Sequence, residues 1–215
     1  MRRILIVDDH EVVRDGVKRL FDEHAGTTAF GDASTASEAL RLASECSWDM
    51  VVLDLSLGAR SGLDVLKELK QIQPRIPVLI LSMHSEEQYA RRAFKAGADG
   101  YITKDSARAE LSKAIDRVIN GGKYVSPVLA EKLVAYLEKG TDTAPQDTLS
   151  DREFEVMRLI ASGKTVGQIA ELLALSDKTI STYRARVLEK MGMKTNAELT
   201  LYVIQNRLLE GYAAE

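Results

Sequence analysis

Up to about residue 120 the chain alternates between two textures. Short, solidly apolar runs lie at residues 4–7, 50–53 and 78–81, with weaker ones at 27–31 and 100–102. Strands buried on both faces read this way. Between the runs, apolar positions recur at helical spacing over residues 12–21, 37–43, 63–72, 88–96 and 111–119, which predicts amphipathic helices. Five strand–helix units in strict alternation predict an α/β domain, a parallel sheet wound with helices on both faces.

Gly121-Gly122 stops the fifth helix, and Pro127 suits the start of another over 128–138. Residues 139–148 are polar, contain Gly and Pro and carry no large apolar residue, so they read as a linker. From Leu149 onward the pattern is helical only. Ser150-Asp151-Arg152-Glu153 fits a capping box, and helices are expected at 150–162, 165–173, 176–191 and 196–204. The expected division is therefore a domain at 1–122, a linker at 123–148 with its own helix, and an all-α, four-helix domain at 149–215.

Composition narrows the class. Of 215 residues, 45% are hydrophobic and 28% charged, as in ordinary soluble domains. One cysteine, Cys46, excludes an intrachain disulfide and argues against a Cys-ligated zinc site. Apolar runs of four residues fall far short of the roughly 18 needed to cross a bilayer. The first apolar run ends in Asp8-Asp9, so no secretory signal and a cytoplasmic location are expected. A net charge of −3 gives no overall polycation signature, yet residues 164–194 hold six basic and three acidic residues. A nucleic-acid surface is to be sought there.

Asp8 and Asp9 follow the first predicted strand and Asp54 the third. With strand order 2-1-3-4-5 those strands are neighbours at the switch point of a doubly wound sheet, where ligands collect. Three converging carboxylates call for a hard cation, and Mg²⁺ accepts such oxygen ligands. Ser82 ends the fourth strand with a hydroxyl, and Lys104 follows the fifth with an ammonium. Around one cleft these groups suit a phosphoryl group, with Asp54 as its acceptor. Singly, each is an ordinary turn, cap or solvated residue; it is their conjunction at four strand ends that points to a site.

On a helix over 176–191, Ile180, Val187 and Met191 share one side, Lys178, Thr182, Ala185 and Arg186 the other, with Ser181 at the edge. Short, hydroxylated and basic side chains suit entry into a DNA groove, although a plain solvated helix can look the same. The preceding helix and a tight turn at Ala174-Leu175 add helix-turn-helix spacing.

Residues 1–120 resemble the receiver domain of two-component response regulators, through Val7-Asp8-Asp9-His10, Asp54-Leu55-Ser56, Leu81-Ser82-Met83 and Tyr101-Ile102-Thr103-Lys104. Residues 149–208 resemble a LuxR-type DNA-binding domain through Leu149-Ser150-Asp151-Arg152-Glu153, Gly163-Lys164, Gln168-Ile169-Ala170, Lys178-Thr179-Ile180-Ser181 and Leu188-Glu189-Lys190-Met191-Gly192. The whole chain is similar to the NarL/FixJ subgroup. That resemblance implies a flavodoxin-like receiver whose Asp54 takes phosphate from a sensor histidine kinase. It implies Mg²⁺ on Asp8, Asp9, Asp54 and the Ser56 backbone carbonyl, with Ser82 and Lys104 contacting the acyl phosphate and Tyr101 swinging inward on activation. Ser181, Thr182 and Ala185 would then meet bases, and Lys178, Thr179, Tyr183 and Arg186 the DNA backbone.

Promoter DNA, RNA polymerase and a homodimer formed on activation are the implied partners, with no membrane and no enzymatic role beyond the receiver's own phosphotransfer and dephosphorylation. The last helix, with Leu199, Leu201 and Val203, is the expected dimer surface. In one departure, Leu57-Gly58 stands where the family usually has Met-Pro, which predicts a looser loop. Two rival readings are a receiver used only as a phosphate-independent dimerisation module and an aspartyl-phosphate hydrolase. The hydrolase needs a second Asp where this chain has Ser56.

Overall fold

A computed structural model describes residues 2–24, 28–58, 60–83, 86–106, 108–138, 144–206 and 208–209. The elements are β1 (Arg2–Val7), α1 (Glu11–His24), β2 (Thr28–Ala33), α2 (Ala36–Glu45), β3 (Met50–Leu53), β4 (Ser56–Leu57), β5 (Arg60–Ser61), α3 (Gly62–Ile72), β6 (Val78–Ser82), α4 (Glu86–Lys95), β7 (Gly100–Thr103) and α5 (Arg108–Ile119). They continue with α6 (Pro127–Glu138), a 3-10 turn (Pro145–Thr148), α7 (Asp151–Ala161), α8 (Val166–Leu172), α9 (Asp177–Lys190) and α10 (Asn196–Gln205). Two compact units span residues 1–134 and 135–215. Thr27 and residues 139–143, which the sequence assigned to a strand and the linker, lie outside the described residues.

In the first unit five parallel strands run in the order β2-β1-β3-β6-β7. This is the expected 2-1-3-4-5 arrangement, because β4 and β5 form a separate antiparallel ribbon. Alternation explains the two layers. Ile4, Ile6, Met50, Val52, Leu79, Leu81 and Ile102 pack against Val17, Leu20 and Phe21 of α1 and Ala114, Ile115 and Val118 of α5. Leu5, Val7, Val51 and Leu53, on the opposite side of the same strands, are just as buried. A strand covered on both faces leaves no polar positions, which is why these runs are solidly apolar.

Two short paired strands flank the Leu57-Gly58 departure. Ser56 pairs with Ser61 and Leu57 with Arg60, Leu57 is buried, and Gly58 takes φ +62°. Proline, fixed near −65°, cannot take that conformation, whereas glycine does so at no steric cost.

Gly62 follows at the base of Asp54. Its amide donates to the Leu55 carbonyl at 2.9 Å, and an added Cβ would stand 2.3 Å from the Asp54 carbonyl oxygen. Gly62→Ala is expected to destabilise the first unit by about 1–3 kcal/mol through this clash with backbone; a thermal unfolding curve matching the wild type would contradict it.

Side-chain caps fix the helix starts of the second unit. Ser150 with Glu153 and Thr165 with Gln168 form full capping boxes, while Ser176 and Thr195 accept from the amides of Thr179 and Glu198. Ala174 (φ +51°) makes the sharp turn between α8 and α9. Phe154, Met157, Ile169, Ile180, Val187, Leu199 and Val203 fill the core.

Candidate functional site

Register brings the acidic strand ends together. Val7 pairs with Leu53, and the Asp54 amide donates to the Val7 carbonyl at 2.9 Å, so Asp8 and Asp54 emerge side by side. On the far side Ser82 pairs with Thr103, and the Lys104 amide donates to the Ser82 carbonyl at 2.8 Å. Lys104 Nζ then reaches Asp8 Oδ2 at 2.7 Å and Asp54 Oδ2 at 2.8 Å. Asp8, Asp54 and Ser82 are buried, while Asp9 and the Ser56 side chain are exposed. Asp54 Oδ1 has no hydrogen-bond partner among the described residues.

Burial pushes the Asp54 carboxyl up to about 6, against the pull of the Lys104 ammonium and with a further push from Asp8. Burial also works against the Lys104 ammonium, but Asp54 and Asp8 outweigh it and hold Lys104 above its ordinary value. The pocket therefore keeps a permanent cation beside a carboxylate that ionises reluctantly.

Tyr101, the expected switch aromatic, is fully buried in this structure. Sequence reading gave no role to His10. Its Nδ1 lies 2.7 Å from Asp9 Oδ1 and 3.3 Å from Asp8 Oδ1. The only signal was its place in the Val7-Asp8-Asp9-His10 motif.

In the second unit α9 carries the expected faces. Ile180, Val187 and Met191 are buried, and Lys178, Ser181, Thr182, Ala185 and Arg186 are exposed, with Thr179 and Tyr183 half-buried. Arg184 is tied to Asn196 Oδ1 at 2.7 Å and Lys190 to Glu153 at 2.6 Å. Among the described residues no ion pair engages Lys178 or Arg186, so these are the α9 cations available to a phosphate backbone.

The expected dimer surface is corrected in part. Leu199 and Val203 are fully buried in their own unit, and the exposed apolar residues of α10 are Leu201 and Ile204.

Two family models match the chain: the response regulator receiver domain over residues 4–116 and the bacterial regulatory proteins of the luxR family over 147–203. This chain is a response regulator of the NarL/FixJ family. Full-length relatives agree. It is 33% identical to the response regulator GacA of Pseudomonas aeruginosa over 98% of this chain and 99% of that one. It is 31% identical to UvrY of Escherichia coli over 97% and 96%.

Among solved structures, a LuxR-family two-component response regulator from Aurantimonas matches at 38% identity and a TM-score of 0.58, covering 63% of this chain and 97% of that one. RcsB of Salmonella enterica, solved on promoter rprA with a phosphomimetic, matches at 24% identity and a TM-score of 0.63, covering 95% and 99%, and supports the fold. This response regulator is thus a transcription factor with a helix-turn-helix DNA-binding domain. Among the described residues no helix is long and apolar enough to cross a membrane.

Proposed function

We propose that this response regulator is switched by phosphorylation of Asp54, and that the phosphorylated chain pairs and binds promoter DNA through α9. One observation carries the reading: a buried Asp54 carboxylate has one oxygen on Lys104 and the other without a partner among the described residues. The donor of phosphate is a sensor histidine kinase. As the Asp54 oxygen bonds to phosphorus, the N–P bond of the kinase phosphohistidine breaks and imidazole leaves. Lys104, held protonated, takes a phosphoryl oxygen, and the Ser82 hydroxyl donates to another.

The donor set fits a hard divalent cation, because a buried carboxylate oxygen lacks a partner beside two further acids. Asp8, Asp9, Asp54 and the Ser56 carbonyl would hold Mg²⁺, which when bound neutralises the acids and an incoming phosphoryl group. The hydrolase alternative still lacks its second acid, since Ser56 stands at that position.

On DNA, Ser181, Thr182 and Ala185 meet base edges, while Lys178, Thr179, Tyr183 and Arg186 meet the backbone. Leu201 and Ile204 form the pairing surface on α10, so a two-fold DNA site is expected. RNA polymerase is the downstream partner.

Intact mass after treatment with a small acyl phosphate and Mg²⁺ tests the switch. Wild type should gain one phosphoryl group and Asp54→Asn none; an unlabelled wild type, or a labelled variant, rejects it. On DNA, Thr182→Ala should relax base discrimination by about 1–3 kcal/mol, whereas Arg186→Ala should weaken all sequences alike. Binding titrations on matched and mismatched duplexes separate the two. Light scattering with and without the acyl phosphate tests pairing, and an unchanged mass rejects it.

A further inference from the structure

A groove of about 380 Å³ lies between α1 and α5, within the size range of small-molecule sites. Val13, Val17 and Leu20 of α1, Leu81 of β6 and Leu111 of α5 give it a branched aliphatic lining. Val17, Leu20 and Leu81 are buried in the core of the sheet domain, whereas Val13 and Leu111 are half-buried. From Val13 to Leu20 the stripe covers two turns of α1, about 10 Å. The charged members of the lining are all cations, Arg19, Lys104 and Arg108, and no acid is among its described residues.

Gly16 gives an independent sign of an occupant. It lines the groove in the middle of this stripe, inside a helix, where glycine is a poor choice. Nothing among the described residues requires it, since its φ is not positive and an added Cβ would meet no atom within 4 Å. A helical glycine facing open space lets a ligand approach the backbone where a side chain would stand in its way. Lys104 Nζ is held by Asp8 at 2.7 Å and Asp54 at 2.8 Å, so this residue gives the groove its stem rather than its charge. An anionic head group therefore falls to Arg19 and Arg108, both exposed, whose planar guanidinium groups suit a carboxylate.

We propose that the α1–α5 groove binds a single-chain anionic amphiphile. This is an unbranched aliphatic carboxylate whose chain lies over Gly16 along the Val13–Leu20 stripe and whose head pairs with Arg19 and Arg108. An aromatic ligand would find no stacking partner, because no aromatic side chain is among the described lining residues.

The test is calorimetric titration of the full chain with octanoate, with octanol as its neutral counterpart and acetate as a head group without a chain. Wild type, Gly16→Leu and the double variant Arg19→Gln/Arg108→Gln are compared. Wild type should bind octanoate at a single saturable site and acetate not at all. Gly16→Leu fills the groove and should lose octanoate binding, yet melt at or above the wild-type temperature, because leucine favours a helix more than glycine does. The double variant should lose about tenfold in octanoate affinity and keep its affinity for octanol. No saturable octanoate binding, or binding indifferent to Gly16→Leu, overturns the site, and octanoate affinity unchanged in the double variant overturns the anionic head group. A wild type that ignores octanoate but doubles its mass where Gly16→Leu does not would place a second copy in the groove, and the proposal falls.

Discussion

Replacing Asp54 by Asn is expected to make the metal-free protein more stable at pH 7, by about 3 kcal/mol, while abolishing phosphate uptake. The carboxyl titrates near 6 in the folded chain against an ordinary 3.8, and each unit of such a difference corresponds to about 1.4 kcal/mol. The sign follows from the direction. A raised carboxyl favours the folded state while protonated, so its stabilising effect is complete below pH ~4 and is lost as pH rises through about 6. Above that the ionised, buried carboxylate is a standing cost that Asn does not carry. Lys104 keeps its contact with Asp8 at 2.7 Å, so the substitution does not strand the ammonium.

Urea titrations of the full chain with chelator present, from pH 4 to pH 7, should show the two proteins diverging in favour of the variant. Divergence in the other direction would mean that Lys104 outweighs burial. Strain of this kind is common at functional sites, where groups needed for chemistry are held at the expense of the fold.

Arg158→Ala is expected to cost the second unit about 3–5 kcal/mol. Arg158 is 2% exposed, the largest fully buried side chain among the described residues, and its Nε donates to the Leu208 carbonyl at 2.9 Å, fastening the chain beyond α10 to α7. Burial pushes the Glu155 carboxyl up, against the pull of Arg152 and Arg158. Truncation would strip one cation from Glu155, orphan a carbonyl and empty a long side-chain volume at once. Arg158→Lys should recover only part of the loss, since an ammonium lacks the planar fork. Amide exchange along residues 150–205 in mild urea reads the second unit separately from the sheet. Wild-type protection in Arg158→Ala would show that α7 and the segment after α10 hold without this clamp.

Arg158 also marks where the sequence is silent. A charged residue in an amphipathic helix reads as its solvent face, and Asp151, Arg152, Glu153 and Arg158 are all buried. In α10 the failure has another cause. Leu199, Leu201, Tyr202, Val203 and Ile204 leave no polar stripe, so periodicity cannot say which side meets the core. The sheet was legible because burial on both faces writes an unbroken apolar run. The pocket was legible because parallel register carries the ends of neighbouring strands to one edge. Asp8, Asp54, Ser82 and Lys104 could be placed that way from position alone. Tyr101 could not, since packing and not register decides where an aromatic side chain lies. Nor could the β4–β5 ribbon, whose Gly58 reads simply as flexibility until its φ is seen.

The parallel register has a kinetic corollary. Each strand pair joins residues separated by a whole crossover, as with Val7 and Leu53, whereas the second unit starts its helices with caps only three residues apart. Local contacts close quickly and long-range ones slowly. The sheet is synthesised first, and at roughly 5–20 residues per second the 81 residues of the second unit take about 4–16 s to follow it. Gene order thus gives the slower-folding half the longer time on the ribosome, and a permuted chain beginning at α7 should yield more misassembled sheet.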